Sequence, residues 1–160
     1  GYQMLGRRII NPIGIEGPAG DVPGLGLLDI ETVLAPQKTL AQTTATEMTT
    51  GLSVQGYEIH MGITQGTDCI RPMLQIKDRM RSQVTDGAIS ADGKIAGCYL
   101  HGLFVADEFR RRYLEMMMGR KLSGIVAYDD QVERTLDALA DHISKFIDLD
   151  RLLAVAATPL

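Results

Sequence analysis

Residues 86–104, DGAISADGKIAGCYLHGLF, form the stretch that decides the fold. Two short apolar segments, 88–90 and 94–96, lie on either side of an Asp-Gly turn. This arrangement is a strong signal for a tight β-hairpin. We expect the second arm of the hairpin to continue to His101, which Gly102 follows. The end of a strand is where α/β folds often present functional groups, so His101 is a candidate catalytic residue.

Strand-like segments precede this hairpin and helix-like segments follow it. A short helix or helix end is expected at 3–10, and apolar, β-branched runs predict four strands, at 27–34, 40–48, 54–63 and 71–76. Asp107 is expected to cap one later helix, and Asp129 or Asp130 a longer one. The longer helix carries an apolar stripe that we interpret as a core face: Val132, Leu136, Leu139, Ile143 and Phe146 or Ile147. The pattern predicts an α/β fold.

The composition is that of one soluble globular domain or a large part of one. The chain has 160 residues, of which 45% are hydrophobic and 22% charged, with a net charge of -4. Such an acidic chain is not expected to bind nucleic acid or a membrane surface. No apolar run approaches the roughly 18 residues that a membrane helix needs. Two cysteines, Cys69 and Cys98, are too few for a disulfide framework, so the expected location is the reducing cytoplasm.

Three histidines are available for chemistry. His142 lies in the middle of a predicted helix and is expected at the surface. Glu58 and His60 alternate along a predicted strand, which puts both side chains on one face. His101, at a strand end, is the strongest candidate of the three for a general base.

A nucleophile is harder to find in this chain. Cys98 lies three residues before His101 on the expected strand, so the two side chains should point to opposite faces, about 10 Å apart along the strand. Cys69 has no base nearby in the sequence and is expected to be buried and inert. The sequence contains no G-x-S-x-G elbow, no zinc spacing of cysteines and histidines, and no phosphate-binding G-x-x-x-x-G-K-[ST] loop. It therefore offers a candidate base without a partner nucleophile.

The opening residues 1–6, GYQMLG, resemble the downstream half of the nucleophile elbow of class I (triad-type) glutamine amidotransferases, roughly G-x-C-x-G-[YH]-Q-x-L. Three more segments fit in the same order: EGPAGDVPGLGLLDIETVL at 16–34, GYEIHMG at 56–62, and 86–104. Together they resemble the C-terminal amidotransferase domain of the cobyric acid synthase family, from Gly1 to at least Phe109. The resemblance implies a flavodoxin-like α/β domain of which this chain is the C-terminal part.

The resemblance also implies roles for individual residues. Gly1, Tyr2 and Gln3 match the elbow just after the nucleophile, and His101 matches the catalytic histidine that accepts and returns the thiol proton. By the spacing of the motif, the nucleophilic cysteine is expected two residues before Gly1, outside this chain. The chain alone is therefore expected to release no ammonia from glutamine.

Two features leave the site incomplete at this level. Many triad amidotransferases carry a glutamate two residues after the histidine, whereas Leu103 stands there in this chain. Either the site works as a cysteine–histidine pair, or another acid orients His101, with Glu58 as a candidate. Glu58 and His60 themselves match a family motif, and their role stays open between a supporting shell, contacts toward the corrinoid and structural positions in the sheet.

The resemblance implies a function in cobalamin biosynthesis. Members of the family are ATP-dependent ligases that amidate carboxylates of a corrinoid, cobyrinic acid a,c-diamide, with ammonia taken from glutamine. We therefore interpret residues 1–160 as a partial glutamine amidotransferase domain whose ligand is glutamine. ATP and Mg²⁺ are expected in a synthetase domain on its N-terminal side, and no metal or cofactor is expected in the chain itself.

Two alternatives remain open. One is the related amidotransferase domain of cobyrinic acid a,c-diamide synthase. The other is a non-catalytic binding module that keeps the amidotransferase fold.

Overall fold

The computed structural model describes residues 1–77, 84–124 and 127–157. The chain divides into two compact units, Gly1–Leu122 and Ser123–Leu160. The interpretation of residues 1–160 as one partial domain stays a prediction. Across the described ranges, no helix is both long and apolar enough to cross a membrane.

The described residues of the first unit contain nine strands, two α-helices and two short 3-10 helices, Thr67–Ile70 and Leu103–Val105. The strands are β1 Arg8–Asn11, β2 Gly20–Pro23, β3 Glu31–Glu47, β4 Ser53–Gln65, β5 Leu74–Ile76, β6 Val84–Asp86, β7 Ala88–Ile89, β8 Ala96–Gly97 and β9 Leu100–His101. The helices are α1 Tyr2–Leu5 and α2 Asp107–Met118. The second unit contains α3 Tyr128–Ile143 and α4 Leu149–Ala156. These elements confirm the predicted α/β fold with a multistranded sheet, a hairpin and C-terminal helices.

The antiparallel pair β3–β4 is the centre of the main sheet. The strand order of this sheet is β2-β1-β3-β4-β9, and β5 pairs in addition with β3 and with β6. The expectation of separate strands at 27–34 and 40–48 was wrong, because residues 31–34 and 40–47 lie in the single strand β3. The register shifts between Val33 and Lys38, a stretch that contains Pro36. Proline cannot donate to a strand ladder, which explains why the irregularity falls there.

The start of the chain also differs from the expectation of a helix over 3–10. The helix α1 ends at Leu5, and Ile9 and Ile10 lie in β1, which runs parallel to β3. β-Branched isoleucines pack well on a pleated surface, and pairing with β3 overrides the local helical spacing.

The hairpin at 86–104 forms as predicted but ends earlier. Ala88 pairs with Gly97 in a separate two-stranded sheet. The expectation that its second arm runs on to His101 was wrong, because β8 ends at Gly97 and β9 joins β4 in the main sheet. The backbone N–H of Tyr99 donates to Asp86 Oδ2 at 2.9 Å instead of to a neighbouring strand. This side-chain acceptor replaces a ladder bond and lets the chain change sheets.

The structure confirms the predicted helices α2 and α3. Their predicted N-cap residues and the predicted core face of α3 were wrong. The N-cap residues are Ala106 and Ala127, so Asp107 and the pair 129–130 lie inside the first turn. The expected core face of α3 was also wrong: Val132 is half-buried, and the other side chains of the stripe are exposed, namely Leu136, Leu139, Ile143, Phe146 and Ile147. A unit of two helices contains too little chain to bury both of their apolar faces.

Two apolar clusters support the sheet of the first unit. One consists of Ala45, Val54, Met73, Leu74, Leu100, Leu103 and Phe109. The other consists of Tyr2, Leu28, Ile30, Ala88 and Tyr99. The second cluster joins the first residues of the chain to the residues just before His101, and it therefore fixes the region where the predicted site residues meet.

Candidate active site

The short strand β9 places His101 beside the middle of β4. His101 faces Tyr57 across the two strands, and their rings are parallel, with centroids 5.2 Å apart and planes 5° apart. Gly56 makes this approach possible, because a Cβ added there would overlap the backbone carbonyl oxygen of His101. Gly102 adopts φ of 85°, a left-handed conformation that favours glycine, and turns the chain directly after the histidine.

The His101 side chain is exposed and has no hydrogen-bond partner within the described part of the chain. Residues directly opposite each other in an antiparallel pair share a face, and neighbours along a strand alternate faces. Glu58 faces Leu100, so its side chain belongs to the face opposite His101. The suggestion that Glu58 orients His101 was therefore wrong.

Glu58 instead forms a pair with His60. The distance from Glu58 Oε1 to His60 Nε2 is 3.0 Å, and the two side chains are only 20% and 16% exposed. This contact confirms that the two residues share one face of the strand. The His60 ring also stacks on Tyr99, with centroids 3.8 Å apart. His60 is thus tied into the sheet by an acidic partner and an aromatic neighbour.

The first residues of the chain pack against the same tyrosine. Tyr2 is buried and meets Tyr99 edge to face, with ring centroids 5.0 Å apart. Burial, followed by the neighbouring Cys69 and Asp86, raises the pKa of Tyr2 well above its ordinary value. Gln3 Nε2 donates to the backbone oxygen of Met61 at 3.0 Å and to the Tyr99 hydroxyl at 3.2 Å.

Two neighbouring cavities lie around this cluster. The larger, of about 480 Å³, is lined by most of the predicted site residues, namely Gly1, Tyr2, Gln3, His60 and His101. Glu58 does not line it but lines a second cavity of about 320 Å³. The fold therefore brings together the residues after the elbow and His101, which are far apart in the sequence, and it separates Glu58 from them.

Neither thiol of the chain is prepared for nucleophilic attack. Burial raises the pKa of Cys98 to about 12, and burial also raises the pKa of the half-buried Cys69. Since the thiolate is the nucleophile, both residues are poor candidates at neutral pH, although Cys98 lines the larger cavity beside His101. Within the described ranges, no three histidine, cysteine or acidic side chains are grouped to hold a metal ion.

Several residues of the site were missed by the sequence analysis. Tyr99 contacts Gln3 and His60, Tyr57 stacks on His101, and Lys38 lines the larger cavity. Tyr57 and Tyr99 lie close to the predicted site residues in the segments GYEIH and YLHGLF. This closeness in sequence was the one signal that could have indicated that they belong to the site. Lys38 carried no signal, because the irregular stretch of β3 decides where its side chain lies.

The fold and this site define a class of protein. Residues 1–109 match the CobB/CobQ-like glutamine amidotransferase domain, and the chain belongs to that family. This finding confirms the resemblance that the four sequence segments indicated.

The similarity to particular proteins is narrower. The chain is 50% identical over 156 residues to a cobyric acid synthase of Bradyrhizobium diazoefficiens, covering 98% of this chain and 31% of that protein. It is 49% and 50% identical, with the same coverage, to cobyric acid synthases of Cereibacter sphaeroides and Rhodobacter capsulatus. The chain thus spans about a third of the length of the curated relatives it matches.

Proposed function

We propose that this chain is part of the glutaminase domain of a cobyric acid synthase. In this function, ammonia released from glutamine serves the ATP-dependent amidation of corrinoid carboxylates, which converts cobyrinic acid a,c-diamide to cobyric acid. The observation that carries the proposal is the shared cavity of Gln3 and His101. These are the residues that match the elbow and the catalytic histidine of the family, and they are 98 positions apart in the sequence.

Free glutamine suits the charges of this cavity. Its lining includes one exposed cationic side chain, Lys38, and one exposed acidic side chain, Glu16. An amino acid substrate carries a carboxylate and an ammonium group, so a lining with one charge of each sign is complementary to it.

We propose that the nucleophile is a cysteine two residues before Gly1 in the complete protein. The high pKa of Cys98 and the raised pKa of Cys69 support this assignment, because they leave the chain without a thiolate at neutral pH. His101 would take the proton of the nucleophilic thiol as sulfur attacks the amide carbon. It would return that proton to the leaving nitrogen as ammonia departs, and then deprotonate the water that hydrolyses the thioester to glutamate.

The site is proposed to work as a cysteine–histidine pair. This proposal is supported by the position of Glu58, which contacts His60 and lies on the face of β4 opposite to His101. The flat face of Tyr57 would then keep the imidazole of His101 oriented by stacking, in place of a carboxylate.

The remaining parts of the activity are proposed to lie outside this chain. ATP and Mg²⁺ would be bound by a synthetase portion on the N-terminal side, which would also bind the corrinoid. A cytoplasmic location fits the two free cysteines.

The test uses the complete protein that carries this domain. Purified protein is supplied with ATP, Mg²⁺ and, in separate reactions, cobyrinic acid or its a,c-diamide, with either glutamine or ammonium chloride as the nitrogen source. The proposal expects amidated corrinoid from both sources and an equal yield of glutamate only from glutamine.

Other results would favour the alternatives. Amidation of cobyrinic acid rather than its a,c-diamide would indicate the related diamide synthase. Amidation with ammonium chloride but no glutamate from glutamine would indicate a non-catalytic module that keeps the fold. Either result would reject the proposed function.

A further inference from the structure

The amide of Gln3 has only one possible orientation. The backbone oxygen of Met61, 3.0 Å away, can only accept a hydrogen bond, so the Gln3 atom facing it must be the NH₂ nitrogen. The second hydrogen of that nitrogen is directed at the Tyr99 hydroxyl, 3.2 Å away. Both donors of Gln3 are therefore used inside the protein, and the described part of the chain offers no donor to its Oε1.

The Tyr99 hydroxyl is itself fixed by a chain of hydroxyl groups. Because it accepts from Gln3, its own proton is free for Thr64 Oγ1, at 2.5 Å. Thr64 can then donate to Thr32 Oγ1, at 2.7 Å, and Thr32 is fully buried. In this order each hydroxyl donates once and accepts once, apart from the terminal threonine, so the contacts from Gln3 to Thr32 form one continuous hydrogen-bond chain.

The ring of Tyr99 has little freedom to move away from Gln3. It is packed between the stacked ring of His60 and the edge-to-face ring of Tyr2, and its backbone N–H is bonded to Asp86. The hydroxyl is therefore a preorganised acceptor, whose position does not depend on a bound ligand.

We propose that Tyr99 and Thr64 are positioning residues that lock the Gln3 amide with its carbonyl oxygen free for the ligand. This inference rests on the proposed glutaminase function and deepens it. A locked Gln3 offers the cavity a hydrogen-bond acceptor and no donor, so it selects a ligand group that carries N–H, such as the ammonium or amide group of glutamine. A rotated Gln3 would offer its NH₂ group instead and would lose this selection.

The kinetic test uses the complete protein and glutamine-dependent release of glutamate. Tyr99→Phe keeps the ring packing and removes the hydroxyl, and it is expected to raise KM for glutamine about tenfold, with kcat changed less than about threefold. Thr64→Val is expected to raise KM by a smaller factor, and Thr64→Ser, which keeps the hydroxyl, to restore it. Tyr113→Phe on α2 and Thr44→Val on β3 are matched controls outside the cavity and should leave KM unchanged.

A coupling measurement separates positioning from a merely structural role. In a Gln3→Ala background there is no amide to lock, so Tyr99→Phe should change KM less than about twofold. An equal factor in both backgrounds would overturn the inference, and so would a KM for Tyr99→Phe within about twofold of the unchanged protein. If Tyr99→Phe does not fold, the Thr64→Val and Thr64→Ser pair carries the same comparison.

A second measurement does not depend on turnover. In protein labelled with ¹⁵N at glutamine side chains, the Gln3 signal is identified by its loss in Gln3→Ala. Both of its amide hydrogens should be protected from exchange, and one should lose protection in Tyr99→Phe. Equal exchange in the two proteins would overturn the inference even if glutamine is hydrolysed. The expected protection would support it even if the proposed function failed.

Discussion

His60 and His101 both stack on a tyrosine in neighbouring strands, yet they have different surroundings. The His60 ring lies 3.8 Å from Tyr99, is only 16% exposed and contacts Glu58. The His101 ring lies 5.2 Å from Tyr57, is exposed and forms no ion pair with an acidic side chain among the described residues. The first arrangement suits a structural residue, and the second suits a base that must reach a ligand.

The difference arises from the register of two strands. His101 faces Tyr57, whereas Leu100 faces Glu58, which shares its face of β4 with His60. The two histidine side chains therefore leave the sheet on opposite faces, although both line the larger cavity. A slip of β9 by one residue would place His101 on the face of β4 that carries Glu58 and His60. The chemistry proposed for His101 therefore depends on the register of a pairing that joins only two residues of each strand.

The largest expected effect comes from removing His101. His101→Asn should lower kcat for glutamine hydrolysis by about 10²–10⁴-fold, because proton transfer to the leaving nitrogen would lose its catalyst. Amidation supported by ammonium chloride should be unchanged in the same preparation, which controls for folding. A fall of less than about fivefold would break the distinction between the two histidines.

The next effect concerns the contact between the strands. Gly56→Ala should destabilise the protein by about 3 kcal/mol and reduce glutamine hydrolysis, because the new methyl group would force β9 away from β4. Urea-induced unfolding and a glutaminase assay measure the two consequences. Gly51→Ala is a matched control, since its Cβ would meet open space and its positive φ alone should cost about 1 kcal/mol. Equal costs for the two variants would contradict the proposed close approach.

A smaller effect is expected from His60. His60→Ala removes the stack on Tyr99 and the partner of Glu58, and should destabilise the protein by about 2 kcal/mol. Its kcat for glutamine hydrolysis should fall far less than that of His101→Asn. Calorimetric unfolding and steady-state kinetics on the same preparations test this contrast, and a loss of kcat as large as that of His101→Asn would make His60 catalytic.

The smallest expected effect is a pH dependence of the unfolding free energy that arises from Asp86. The Asp86 carboxylate accepts a hydrogen bond from the backbone N–H of Tyr99, the residue on which His60 stacks. Burial raises the pKa of Asp86 above its ordinary value of 3.8. The folded state therefore keeps this proton to higher pH than the unfolded state does. The stabilisation from protonation is complete below about pH 3.8 and is lost as the pH rises through the raised pKa.

The variant Asp86→Asn removes this titratable group and so isolates its contribution to the unfolding free energy. The unfolding free energy of the unchanged protein, minus that of Asp86→Asn, should fall as the pH rises from about 4 and then level off. Urea-induced unfolding of both proteins between pH 4 and 8 measures the difference. A difference that rises with pH would show that the hydrogen bond from Tyr99, which lowers the pKa, outweighs burial.

Local patterns in the sequence predicted those parts of the fold that depend on local interactions. The Asp-Gly turn placed the hairpin, and alternation placed Glu58 and His60 on one face, because both follow from neighbouring residues. The core face of α3 was wrong because apolar spacing says which side chains share a face and not whether another element covers them. The predicted end of the hairpin was wrong because it is decided by the hydrogen bond from Tyr99 to Asp86, which joins residues 13 positions apart.

The sequence alone determined the class of the chain, since four ordered segments matched the family. It also identified His101 and Gln3 as candidate residues of the site. Only the tertiary structure decided that these two residues line one cavity, that Glu58 belongs to His60, and that Tyr99 holds the Gln3 amide. Motifs record which residue types a site needs. Strand register and packing between distant segments decide which atoms meet, because a shift of one position exchanges the two faces of a sheet.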